Sequence, residues 1–123
     1  SGCLYCQAHT ILGAERFGCT KKRLEEVWNY ANSSAFSSAE KAALDFAFAA
    51  ASVPNKVTKK EASQLKNYWN DNDIVEIMGV IALFGFLNRW NDSMGSALED
   101  LPIEKGEEHL MKNTNWTPGK HRV

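Results

Sequence analysis

Ile74-Val75-Glu76-Ile77-Met78-Gly79-Val80-Ile81-Ala82-Leu83-Phe84-Gly85-Phe86-Leu87 is the most apolar run in the chain, and Glu76 is its only charged residue. It shows no alternation of apolar and polar positions, so it reads as a helix and not as a half-buried strand. Its charge-free part, Ile77 to Leu87, is far shorter than the roughly 20 residues that cross a bilayer, which points to a buried helix. Apolar side chains all round predict a place at the centre of a helical bundle. Asp73, with Glu76 three residues later, is the best N-cap candidate among Asn70-Asp71-Asn72-Asp73, and the helix is expected to extend to about Glu99. Gly79 and Gly85 would each cost up to about 1 kcal/mol inside a helix, which suggests close packing of another helix or subunit there.

Four shorter helices are expected before it. Leu4, Ala8, Ile11, Leu12 and Ala14 give the first an apolar face, and it runs from about Gly2 to Arg16 or Phe17, closed by Gly18. From Thr20 to about Asn32, Leu24, Val27, Trp28 and Ala31 recur at helical spacing with charges facing outward. Ser37-Ser38-Ala39-Glu40 has the spacing of a capping box, and the alanine-rich helix it opens, ending near Ser52, has little polar surface and is expected to pack on several sides. Thr58-Lys59-Lys60-Glu61 is a second capping box, starting a short polar helix to about Trp69. Beyond Leu101 two prolines and a Gly119-Lys120-His121-Arg122-Val123 ending predict an extended arm or frayed tail. The fold class is therefore all-α, a bundle of about five helices with a long central C-terminal helix.

At 123 residues the chain has the size of one domain, and 44% hydrophobic with 24% charged residues is ordinary for a globular protein. A net charge of −1 with mixed signs offers no basic face for nucleic acid and no polybasic run for a membrane. No nucleotide loop or other cofactor motif is present. Three cysteines, two of them in a tight pair, do not form a secreted disulfide framework and fit a reducing, cytoplasmic setting. The chain begins at Ser1-Gly2, which reads as a cloning remnant or a truncated start.

The chemistry is expected in Cys3-Leu4-Tyr5-Cys6-Gln7-Ala8-His9-Thr10. On a helix, steps of three residues displace Cys3, Cys6 and His9 by about 60° each around the axis, so all three share one side. Two thiols on a first turn can close a small disulfide, and the helix dipole there favours a thiolate. His9 lies one turn from Cys6 and about 9 Å along the axis from Cys3, so a base belongs with Cys6. Metal is the weaker reading of the pair, because Cys19, His109 and His121 are each single and no second ligand pair follows. Cys19 reads as a small turn or core thiol, Tyr5 as packing, and Thr10 as bonding back to the helix. Arg89 and Asp92 read as a structural pair on one helix face, and His109 and His121 as exposed tail residues.

The Cys3-Leu-Tyr-Cys6-Gln-Ala-His9-Thr10 motif resembles the Cys-x-x-Cys-x-x-His motif of AhpD-like alkylhydroperoxidases in the carboxymuconolactone decarboxylase family. Leu83-Phe84-Gly85-Phe86-Leu87-Asn88-Arg89-Trp90-Asn91-Asp92 is similar to that family's long C-terminal helix. The resemblance implies an oligomeric thiol peroxidase or disulfide oxidoreductase. By that resemblance Cys6 attacks the peroxide, Cys3 resolves the product to a disulfide, His9 assists proton transfer, and an external dithiol or protein reductant resets the pair. An upstream glutamate completes the relay in characterised members, and no acidic residue of this chain matches it. Best-studied members also place histidine where Thr10 stands, which supports a second reading, a non-catalytic oligomeric member with a structural or vestigial cysteine pair. A third, lactone decarboxylase, has no use for two thiols.

Overall fold

The computed structural model describes all residues from Ser1 to Val123 and is entirely helical: seven α-helices and two short 3-10 helices, without a strand. The α-helices are α1 (Leu4–Arg16), α2 (Lys21–Glu26), α3 (Ser38–Ala51), α4 (Lys59–Lys66), α5 (Asp71–Met94), α6 (Asp100–His109) and α7 (Met111–Thr114). The 3-10 helices cover Val27–Asn32 and Gly119–His121. The all-α expectation holds, with more helices than the five read from periodicity. No helix is long and apolar enough to cross a membrane. The chain divides into two compact units, one of Phe36–Phe86 and one of Gly2–Ala35 with Leu87–Val123.

In the Phe36–Phe86 unit both capping boxes form as read. Ser37 accepts from the Glu40 amide while Glu40 accepts from the Ser37 amide, and Thr58 and Glu61 do the same for α4. Each box satisfies amides that a helix start otherwise leaves unpaired. Trp69 donates its indole N–H to the Ala39 carbonyl at 2.9 Å, tying the end of the α4 segment to the start of α3. Helix α3 buries only Ala42, so its alanine-rich surface is less covered than expected. The start of α5 is capped reciprocally by Asn70 and Asp73, each side chain accepting from the other's amide, so Asn70 takes the N-cap role expected of Asp73.

Helix α5 corrects the sequence reading most. None of its residues is buried, and Val75, Val80, Leu83, Phe86, Trp90 and Met94 are exposed. It is not the centre of a bundle within one chain. Nothing lies within 4 Å of a Cβ placed on Gly79, so no helix of this chain packs closely there. It also ends at Met94, short of the expected Glu99, because Gly95 adopts a positive φ of 63° that stops the helix.

The second unit has its core in Ala8 and Ile11 of α1, Leu24 of α2, and Leu98, Leu110 and Trp116 from the C-terminal part, with Leu4, Tyr5, Cys19 and Ile103 packed around them. The expected extended arm is therefore a folded part of this core. Pro102 falls in the first turn of α6, where its missing N–H costs nothing, so it does not break the helix. Trp116 donates to the Leu4 carbonyl at 3.3 Å, and the Leu98 amide donates to the His121 carbonyl at 2.8 Å. His109 and His121, expected in solvent, are fully buried. Glu15 and Lys105 pair between α1 and α6 at 3.2 Å.

Candidate functional site

Cys3 is the N-cap of α1: its extended backbone turns into the helix, and its sulfur accepts the Cys6 amide at 3.2 Å in place of the usual capping oxygen. This fixes the two cysteines one turn apart at the helix start, both reduced and both buried. The sequence reading of a paired dithiol on the first turn of a helix matches this placement.

The surroundings of Cys6 come from the far end of the chain. Its thiol donates to the Leu87 carbonyl at 3.8 Å, and the Asn91 amide lies 4.0 Å from its sulfur while donating to that same carbonyl at 3.0 Å. Ser96 donates to the Asn91 side-chain oxygen at 2.8 Å and so holds the amide with its N–H₂ toward the sulfur. Burial, followed by the neighbouring Cys3 sulfur, pushes the Cys6 thiol up to about 12, with the Asn91 contact acting in the opposite direction. At Cys6 burial thus works against the thiolate that the helix dipole was expected to favour. Removal of a thiolate from water costs more than one helix terminus returns.

His9 lies one turn beyond Cys6, half-buried, and directs Nε2 at the Glu99 carboxylate at 3.0 Å instead of at a sulfur. Glu99 occupies the N-cap position of α6 without using its side chain to cap it, which leaves the carboxylate for His9. No acid for this histidine is visible along the sequence, because its partner stands 90 positions away, at the expected end of the preceding helix. The Tyr5 ring stacks against His9 with centroids 4.4 Å apart and lies 5.8 Å from the His121 ring. Burial, together with the nearby Glu99, Cys6 and Cys3 charges, raises the Tyr5 hydroxyl above the usual phenol range. Tyr5 is thus nearer the site than its reading as simple packing implied. Thr10 bonds back to the Cys6 and Gln7 carbonyls, as read from sequence.

Behind the site, His121 donates its Nδ1–H to the Ser96 carbonyl at 2.8 Å, and Asp92 meets Lys120 at 3.2 Å and His121 Nε2 at 3.5 Å. The Lys120 ammonium holds the Asp92 carboxyl below its ordinary range. The tail therefore engages Asp92, the residue sequence reading had paired with Arg89. Cys19 is partly buried against the core. Chemically, the site offers a protonated thiol backed by a second thiol, an amide donor at the first sulfur, and an imidazole–carboxylate pair one helical turn away.

No family model and no curated protein matches the sequence. Solved structures do. The debrominase Bmp8 in its apo form superposes with a TM-score of 0.83 at 34% identity, covering 87% of this chain and 57% of that one. A cysteine-to-alanine variant of Bmp8 in complex with 2,3,4-tribromopyrrole gives a TM-score of 0.83 at 33% identity, covering 88% and 58%. The present chain spans less than two thirds of the length of these proteins.

Proposed function

We propose that this protein is a dithiol-dependent reductase of AhpD-like type, with Cys6 as nucleophile, Cys3 as resolving thiol and His9 as proton carrier. The observation that carries the reading is the reduced Cys3–Cys6 pair on the first turn of α1, with the Cys6 amide bonded to the Cys3 sulfur. With a hydroperoxide, deprotonated Cys6 attacks the terminal oxygen, an S–O bond forms as the O–O bond breaks, and the alcohol leaves with a proton. The Cys3 sulfur then attacks the Cys6 sulfenic acid, an S–S bond forms and water leaves. Two electrons have passed from the thiols to the peroxide, and an external dithiol or protein reductant restores them.

The resting Cys6 is protonated, so the reaction needs a proton acceptor. His9 is the nearest imidazole along α1, and the Glu99 carboxylate 3.0 Å from its Nε2 orients the ring. This gives the His9–Glu99 pair the role that the family resemblance assigns to a histidine and an upstream glutamate. A cytoplasmic, reducing setting suits a pair that must be reset each cycle. Apolar residues exposed along α5, including Val80, Leu83 and Phe86, support assembly with further copies of this chain.

A second reading differs in the electrophile. The complex of the Bmp8 variant with 2,3,4-tribromopyrrole supports a brominated heteroaromatic as substrate. Cys6 sulfur would take the bromine, the C–Br bond electrons would stay on carbon and capture a proton, and Cys3 would then displace bromide from sulfur to form the same disulfide. The test is turnover by the reduced protein supplied with dithiothreitol and either an alkyl hydroperoxide or a polybromopyrrole. Consumption of either substrate that vanishes in Cys6→Ser and Cys3→Ser but persists in Cys19→Ser supports the dithiol reductase, and the substrate consumed selects between the readings. Undiminished turnover in Cys6→Ser overturns it.

A further inference from the structure

At the opposite end of α1 from the thiols, Glu15 converges with Glu108 and His109 from the last turn of α6, their ligand atoms all within 4.8 Å of one another. The separation from Cys6 along the helix is about 14 Å. His109 is 1% exposed, and neither of its ring nitrogens has a hydrogen-bond partner. A buried imidazole in that condition is costly, and its Nε2 is aimed at the two carboxylates, 3.5 Å from Glu15 Oε1 and 3.7 Å from Glu108 Oε2.

These spacings suit a metal ion. Bonds of roughly 2.0–2.2 Å in tetrahedral geometry place neighbouring ligand atoms about 3.4 Å apart. A mixed imidazole and carboxylate set favours a first-row divalent transition ion over calcium or magnesium, which prefer oxygen alone. A cation already stands between the carboxylates: Lys105 Nζ lies 3.2 Å from Glu15 Oε1 and 2.7 Å from Glu108 Oε2. We propose that Glu15, Glu108 and His109 form a binding site for a divalent transition-metal ion, with one coordination position left to water, and that the Lys105 ammonium fills the site when the ion is absent. Metal binding gives His109 Nε2 the partner it lacks and links the last turn of α1 to the last turn of α6. Lys105 swings into solvent, which its partial exposure and flexible stem permit.

The test is Co²⁺ titration of the reduced protein followed by visible absorption, because cobalt reports its donor atoms. The expected result is a saturable spectrum of nitrogen and oxygen coordination without thiolate charge-transfer bands. Affinity should fall at least tenfold in Glu15→Gln/Glu108→Gln and rise several-fold in Lys105→Ala, where the competing ammonium is gone. The two glutamates are partly exposed, so the double variant should fold, and its far-ultraviolet circular dichroism checks that. Lack of a saturable signal, thiolate bands indifferent to the glutamine changes, or an unchanged or weaker affinity in Lys105→Ala overturns the site.

Discussion

The protonated resting state of Cys6 makes a quantitative prediction. With its thiol pushed up to about 12, Cys6 is ionised to only about one part in 10⁵ at pH 7, whereas an ordinary thiol near 8.5 is ionised to a few per cent. The predicted deficit in thiolate is therefore on the order of 10³-fold, offset partly by the higher intrinsic nucleophilicity of a more basic sulfur. Iodoacetamide alkylation of the reduced protein, followed by peptide mass, reads this at each cysteine. Cys6 should react far more slowly than a small-molecule thiol at pH 7, and its rate should climb about tenfold per pH unit without a plateau to pH 10. Two variants set the sign of the neighbours. Cys3→Ala removes a raising influence and should speed alkylation of Cys6, while Asn91→Ala removes the lowering one and should slow it. A plateau between pH 6 and 8, or an Asn91→Ala variant that reacts faster, refutes burial and the Cys3 sulfur as what holds the Cys6 thiol up.

Other predictions rest on separate parts of the structure. The raised Cys6 value means that the folded state holds a proton that the unfolded state releases above its ordinary thiol range, so Cys6 stabilises the fold below that range and this contribution is lost as pH rises toward about 12; thermal melts should fall more steeply with alkaline pH in the wild type than in Cys6→Ala. A Cβ on Gly106 would lie 2.5–2.8 Å from ring carbons of the buried Trp116, so Gly106→Ala should cost at least about 1–3 kcal/mol in urea unfolding. Ser37→Ala, which removes half of a capping box, should cost about 1 kcal/mol in the same assay. His9→Gln should lower turnover by roughly 10²-fold or more, Glu99→Gln should lower it less, and the double variant should be no worse than His9→Gln alone, because the carboxylate acts through the imidazole.

Local signals in the sequence carried their meaning into the structure. Both capping boxes, the Gly18 turn and the first-turn cysteine pair depend on residues within a few positions of each other, and each is found where it was read. What sequence could not supply is long-range. Glu99 reaches His9 across 90 positions, and Leu87 and Asn91 close over Cys6 from a helix more than 80 residues away, so neither the acid partner nor the raised thiol value is visible along the chain. The C-terminal segment was misread because Pro102 looks like a helix breaker, although in the first turn of α6 it is harmless, and because His109, Trp116 and His121 owe their burial to contacts made only in the folded unit. Helix α5 shows the opposite failure: its composition demanded burial that one chain does not provide, and a solution mass above that of the monomer would account for its exposed face.

In the proposed reaction Cys3 and Cys6 together deliver two electrons to one substrate molecule. Intact mass and peptide mapping of the fully reduced protein after exposure to one equivalent of an alkyl hydroperoxide, or of a polybromopyrrole, tests it most directly. The expected result is loss of two hydrogens, located as a Cys3–Cys6 disulfide that dithiothreitol reverses, with matching release of alcohol or bromide. A substrate consumed while both thiols remain free to alkylate, or a disulfide that forms through Cys19 instead, would contradict it.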